Sequence, residues 1–149
     1  RIFLNQTKNK YDVIFLDAFN SSYSIPYQLT TKETAAKIFN ILNNDGVVLA
    51  NITSAIEGDK GKFLQAEYKT YKNIFPQVYI FPVQQPNNGK SLQNIMLVAL
   101  KSKNKPTFIS ADNELSIYLN NLWKKDIEND APILTDDYAP VEYFMKINI

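Results

Sequence analysis

The carboxylate of Asp17 closes the run Tyr11-Asp12-Val13-Ile14-Phe15-Leu16. A carboxylate in such a place can accept a proton, hold a cation by charge, or orient a hydroxyl or amine. Val13 to Leu16 is an unbroken apolar run, too short for a helix. It predicts a strand buried on both faces, as in a parallel sheet covered by helices. An acid directly after that strand lies at its carboxyl end, the rim where open α/β sheets bind ligands. The other reading of Asp17 is a cap for a turn or for the next helix. Asn20 follows three residues later, and Asn51 ends the second apolar run, Val47 to Ala50. Histidine and cysteine are both absent. That removes Ser-His and Cys-His nucleophiles, disulfides, and thiolate or imidazole metal sites. Acid–base work falls to Asp, Glu, Lys or Tyr, and no metal site is expected.

The elements that must hold these residues follow from periodicity and punctuation. Thr30 or Thr31 is a good N-cap, with Glu33 in the first turn. Ala35, Ile38, Phe39 and Leu42 recur at helical spacing, predicting an amphipathic helix to about Asn43. Asn44-Asp45-Gly46 reads as its stop and turn. The right-handed crossover rule makes the strand at Val47 parallel to the one at Val13. Phe63, Leu64, Tyr68, Tyr71, Ile74 and Phe75 give the next helix its apolar stripe, with Pro76 just beyond it. Val78–Val83 and Leu92–Leu100 then read as strands, joined by a loop too short for a helix and therefore paired antiparallel. Ala111 to about Lys125 predicts a further helix, capped by Ser110 or Asp112, with Leu115, Tyr118, Leu119 and Leu122 on one side. The tail from Ala131 to Phe144 reads as irregular, its aromatics docked on the core.

The chain has 149 residues, enough for one domain and a sizeable core. Net charge is +1 and the lysines are scattered, so nucleic acid is not an expected partner. No apolar run approaches the ~18 residues of a membrane helix. Lack of cysteine accords with a reducing cytoplasm, the expected location. The chain begins at Arg1 without an initiator methionine and is expected to be cut from something longer. The order β-α-β-α-β-β-α is that of the second half of a doubly wound sheet. The first half would bring a Gly-rich loop. Gly58 and Gly61 do not form one.

Four segments together carry a family resemblance: Tyr11 to Asp17, Ile25-Pro26-Tyr27-Gln28-Leu29-Thr30, Asp45-Gly46-Val47, and Leu134-Thr135-Asp136-Asp137-Tyr138-Ala139-Pro140-Val141. They resemble the spermidine/spermine synthase family, above all its divergent bacterial branch. Some members of that branch are fused to transporter-like membrane segments, so a membrane tether in the parent protein belongs to the expectation. The resemblance implies an α/β fold: the C-terminal half of a Rossmann-like, class I S-adenosylmethionine-dependent methyltransferase fold. It implies that residues 1–149 form a single domain lacking the Gly-rich cofactor-binding half. The implied reaction is aminopropyl transfer from decarboxylated S-adenosylmethionine to a polyamine, with this fragment inactive by itself.

Residue by residue, the resemblance assigns Asp17 the role of base. Asp17 and Ala18 fall at the cofactor side. Asn20, Tyr23, Tyr27, Gln28 and Asn51 fall at the substrate side, Tyr23 to Leu29 being the loop that closes over the site. Plainer readings stand beside these: surface tyrosines in a loop, and Asn51 as a strand cap. Arg1-Ile2-Phe3-Leu4 resembles the residues that follow the family's adenine contact. Asp136-Asp137 either adds charge to the site or caps a turn that anchors the tail. The family pattern Asp-x-x-Asp-Pro is replaced by Asp17-Ala18-Phe19-Asn20-Ser21. An amide hydrogen-bonds an amine without neutralising it. The alternatives are therefore a methyltransferase-like enzyme, or a degenerate ligand-binding or interaction domain. A phospho-receiver with Asp17 as acceptor and Thr53 as the later hydroxyl is a third reading, opposed by the missing acidic pair. The strand at Val13 would normally be central, so its open edge predicts a homo-oligomer.

Overall fold

The computed structural model describes residues 1–19, 25–127 and 130–146. In chain order the elements are α1 (Ile2–Gln6), β1 (Tyr11–Phe19), a 3-10 turn at Tyr27–Leu29, α2 (Lys32–Ile41) and β2 (Leu42–Ser54). A second 3-10 turn (Asp59–Gly61), α3 (Lys62–Lys72), β3 (Gln77–Pro82), β4 (Gln93–Leu100), α4 (Asn113–Asn120) and α5 (Val141–Lys146) follow. The four strands form one sheet in the order β1-β2-β4-β3. β1 and β2 run parallel, and β4 is antiparallel to both β2 and β3. The crossover and the hairpin expected from the sequence are both present. The hairpin folds back so that β4 lies inside it and β3 at the rim.

Thr31 caps α2, its Oγ1 accepting from the Thr34 amide at 3.3 Å. β2 begins earlier than its apolar run, because Leu42 pairs with Tyr11 and Val47 with Val13. Asn44 to Gly46, read from sequence as a turn, bulge together with Asn43 between those two pairs. Asn43 Nδ2 holds the bulge to Asp12 Oδ1 at 2.7 Å. A Cβ on Gly46 would come within 3.0 Å of the Asn43 carbonyl oxygen and 2.9 Å of Leu42 Cδ2, so the close fold of the bulge favours glycine. Asp112 caps α4, accepting from the Leu115 amide at 2.8 Å.

One sheet face is closed. Val48, Ala50 and Ile52 of β2 and Ile95, Leu97 and Ala99 of β4 are buried beneath α2, α3 and α5. Ile38, Phe63, Leu64, Val141 and Phe144 come from those helices. Each fully buried Leu, Ile or Phe here contributes about 1.5–3 kcal/mol. The other face is closed only near β3. There Phe108 packs edge-on against Tyr79 and Phe81 at centroid distances of 4.8 and 5.2 Å.

Three expectations need correction. β1 is not buried on both faces: Val13 is 44% and Phe15 71% exposed. Their side of the strand has no helix over it, while Ile14, Leu16 and Ala18 on the other side pack on the core. The helix read over Ala111 to Lys125 is shorter and buries no residue, because the open face offers it too little to rest on. Its Leu115 and Tyr118 remain nearly half exposed. The tail is not wholly irregular, because Val141–Lys146 forms α5, whose Val141, Phe144 and Met145 seat in the core. Among the described residues, no helix is long and apolar enough to cross a membrane.

Candidate active site at the carboxyl rim

Side-chain alternation and strand register bring the polar candidates to one rim. Asp17 is exposed at the end of β1, and Asn51 Nδ2 donates to its Oδ1 at 3.1 Å. Thr53, two residues beyond Asn51 and so on the same face, donates from Oγ1 to Asn94 Oδ1 at 3.1 Å. Asn94 pairs with Thr53 in register, and Met96 with Asn51. The open face therefore has two zones. Phe15, Leu49, Met96 and Val98 make an apolar floor, and Asp17, Asn51, Thr53 and Asn94 a polar border. Such a pairing suits a ligand with a flat or aliphatic body and a cationic or hydrogen-bonding end. Asn94 was missed in the sequence reading. Its place at the rim depends on β4 pairing with β2, which the hairpin pattern alone does not give.

The other expected site residues are placed unequally. Ala18 packs toward the closed face, so only its backbone reaches the rim. Asn20 and Tyr23 lie outside the described residues. Tyr27 is 47% exposed, in the 3-10 turn. Gln28 has an exposed side chain, and its carbonyl oxygen accepts from Arg1 Nη1 at 2.9 Å and Thr34 Oγ1 at 2.5 Å. Gln28 is thus tied to Arg1 and α2, and the Tyr27 carbonyl accepts from the Thr30 amide at 3.0 Å and from Thr30 Oγ1 at 2.7 Å.

Asp136 belongs to the same tie. Arg1 Nη1 and Nη2 donate to its two oxygens, both at 2.6 Å, and Thr31 Oγ1 donates to Oδ1 at 2.6 Å. The Asp136 amide donates to Glu33 Oε2 at 3.0 Å, and the Lys32 amide to the Leu134 carbonyl at 2.8 Å. The Arg1 hydrogen bonds hold the Asp136 carboxyl below its ordinary range, opposed by partial desolvation. The turn-anchoring reading fits Asp136, which fastens the tail to the start of α2.

A further acid lies in the core. Glu67 of α3 is fully buried, and neither carboxylate oxygen has a donor. Burial pushes its pKa well above the usual carboxylate value, favouring the protonated form. Among the described residues no cluster of three acidic, His or Cys side chains could hold a metal.

The sheet order, the parallel crossover from β1 to β2 and the polar carboxyl rim accord with a class I methyltransferase-like α/β fold. A probable spermidine synthase from Corynebacterium glutamicum superimposes with a TM-score of 0.61 at 20% identity, over 80% of this chain and 41% of that one. A spermidine synthase solved with the transition-state analogue AdoDATO gives a TM-score of 0.56 at 22% identity, over 69% and 34%. In sequence, the chain is 32% identical to the polyamine aminopropyltransferase of Vibrio vulnificus, over 88% of this chain and 45% of that protein. It is 29% identical to a probable polyamine aminopropyl transferase of Bifidobacterium longum, over 95% and 36%. No protein-family model matches. The chain belongs to a spermidine synthase-like family and spans less than half the length of these two relatives.

Proposed function

We propose that the chain is the acceptor-side part of an aminopropyltransferase that uses decarboxylated S-adenosylmethionine and a polyamine-like amine. The observation that carries this reading is the Asp17–Asn51 pair on the polar border of an apolar, open sheet face. A polyamine amine is protonated near neutral pH, its pKa resembling the ~10 of lysine. It must lose a proton before it can attack. The Asp17 carboxylate accepts that proton, and its charge draws the cationic amine to the rim. The amine nitrogen then forms a bond to the methylene carbon next to the sulfonium. The carbon–sulfur bond breaks, and its electron pair stays on sulfur as a neutral thioether. Asn51 holds the carboxylate oxygen in place during the transfer.

Ala18, through its backbone, lies on the co-substrate side of this arrangement. Asn20, Tyr23, Tyr27 and Gln28 belong to the segment that covers the acceptor. The 149 residues by themselves are inactive and associate through the open edge of β1. The setting is cytoplasmic. A second reading, a degenerate binding domain, draws on Asn20 standing where the family pattern has a second acid.

The test is an assay of the full-length parent protein with decarboxylated S-adenosylmethionine and a diamine, reading thioether nucleoside release. Turnover is expected, and Asp17→Asn should lower it by about 10²–10⁴-fold. Full activity in Asp17→Asn would overturn the assignment. An inactive parent that gains turnover with Asn20→Asp would establish the degenerate reading instead.

A further inference from the structure

Two loops leave the same rim as the Asp17–Asn51 pair. Residues 55–61 run from the end of β2 toward α3, and residues 83–92 join β3 to β4. Each is held by a buried glutamine. Gln93 opens β4 opposite Ser54 and is only 5% exposed. Its Oε1 accepts from the Gln84 and Gln85 amides at 3.1 and 2.8 Å. Its Nε2 donates to the Gln85 and Asn88 carbonyls at 3.1 and 3.3 Å. Gln65 of α3 is fully buried, and its Nε2 donates to the Ile56 and Gly58 carbonyls at 3.0 and 3.4 Å. The two loops meet at Gly89, whose carbonyl oxygen accepts from the Ile56 and Glu57 amides, both at 2.8 Å. Gln84 carries the tie back to the polar border, its Oε1 accepting from the Asn94 amide at 3.0 Å.

We propose that Gln93 is a positioning residue: acting through Gly89, it locks the two loops into one wall and so fixes the Thr53–Asn94 end of the border against which an amine acceptor is seated. A glutamine amide offers an acceptor and a two-proton donor at one end, which is what two amides and two carbonyls of a folded loop require. An apolar side chain of similar size would leave all four without that partner. A wall held in place before the ligand arrives spares binding the cost of ordering it. The coupling of the loops stands apart from the transfer reaction, while the seating of the acceptor rests on the reading proposed above.

Amide hydrogen exchange and steady-state kinetics of the full-length protein carrying Gln93→Glu test it. The ionised carboxylate still accepts from the Gln84 and Gln85 amides but turns an oxygen toward two carbonyl oxygens. The protonated acid can donate to them as the amide does. At about pH 8, protection should fall about tenfold at Gln84 and Gln85, and also at Ile56 and Glu57, which bond to Gly89. At about pH 5 it should return toward the wild-type level. Wild-type protein at each pH is the reference, because Glu57, Asp59, Lys60 and Lys90 in the loops, and Lys125 paired with Glu57 at 3.8 Å, are common to both. The Trp123 amide, bonded to the Ile80 carbonyl on the outer side of β3 at 2.8 Å, should keep its protection. Gln65→Glu should act in the reverse direction and loosen the Gln84 and Gln85 amides. With an amine acceptor, Gln93→Glu should raise KM several-fold at the higher pH and leave kcat nearly unchanged.

Faster exchange at Gln84 and Gln85 with Ile56 and Glu57 unmoved would overturn the proposal. So would loss of protection across the whole sheet, which would make Gln93 a residue of general stability. An unchanged KM in an active protein whose loops have loosened would overturn the positioning role. An inactive full-length protein with coupled exchange supports the wall and counts against the transferase reading alone.

Discussion

Glu67 and Asp136 are two carboxylates with opposite consequences for stability. Burial raises the Glu67 pKa, so the folded state binds its proton more tightly than the unfolded chain does. Stability from this group is greatest below the unfolded carboxylate value of about 4.3 and declines as pH rises above it. The melting temperature should therefore fall between about pH 5 and pH 8. Glu67→Gln should flatten that decline and be the more stable at the upper end by about 1–3 kcal/mol, which thermal melts across the range will show. Asp136 behaves in the reverse sense. Its pKa is lowered by Arg1, so its contribution is present above the unfolded value and is lost as pH falls through the folded one. Its side chain is 44% exposed, which screens the pair. Asp136→Asn should thus cost only about 0.5–1 kcal/mol near neutrality, and less as pH falls below the unfolded carboxylate value of about 3.9, as denaturant titrations at neutral and acid pH will show.

At the scale of elements, two glycines near the start of α3 differ in what they tolerate. Gly61 lies where an added Cβ would come within 2.7 Å of the Ile56 carbonyl oxygen, a backbone atom that cannot move aside. Gly58 has open space around it and a φ of 70°, which strains any other residue. Gly61→Ala should destabilise by about 1–3 kcal/mol through overpacking. Gly58→Ala should cost about 1 kcal/mol through backbone strain. Urea midpoints of the two variants check the order. The same elements show what the sequence made legible. The crossover from β1 to β2 and the hairpin of β3 and β4 follow from apolar runs, caps and loop lengths, and the structure has both. Asp17 and Asn51 could be brought to one rim because each ends a strand. The exposed face of β1 was not legible, because Val13-Ile14-Phe15-Leu16 is equally apolar whether a helix covers one side or both. Asn94 was hidden because its place depends on β4 inserting beside β2, a non-local pairing. α5 was hidden by Pro140, which reads as a breaker yet here precedes the first helical residue.

For the molecule as a whole, the sheet is asymmetric, with one edge guarded and one open. The 149-residue chain should self-associate with rising concentration, with Lys substitutions at Val13 and Phe15 reducing the effect. Sedimentation velocity over a concentration series will read this. A strictly monomeric chain at all concentrations would remove the edge as its cause. The guarded side carries Trp123, the protein's sole tryptophan, 9% exposed, with Lys125 Nζ 5.1 Å from the ring centre. The indole therefore works as a built-in optical gauge: a shift of its emission toward the red marks the 101–125 strap peeling from β3. Events at the opposite border leave that colour unchanged, so one cuvette separates fraying of this flank from association at the other.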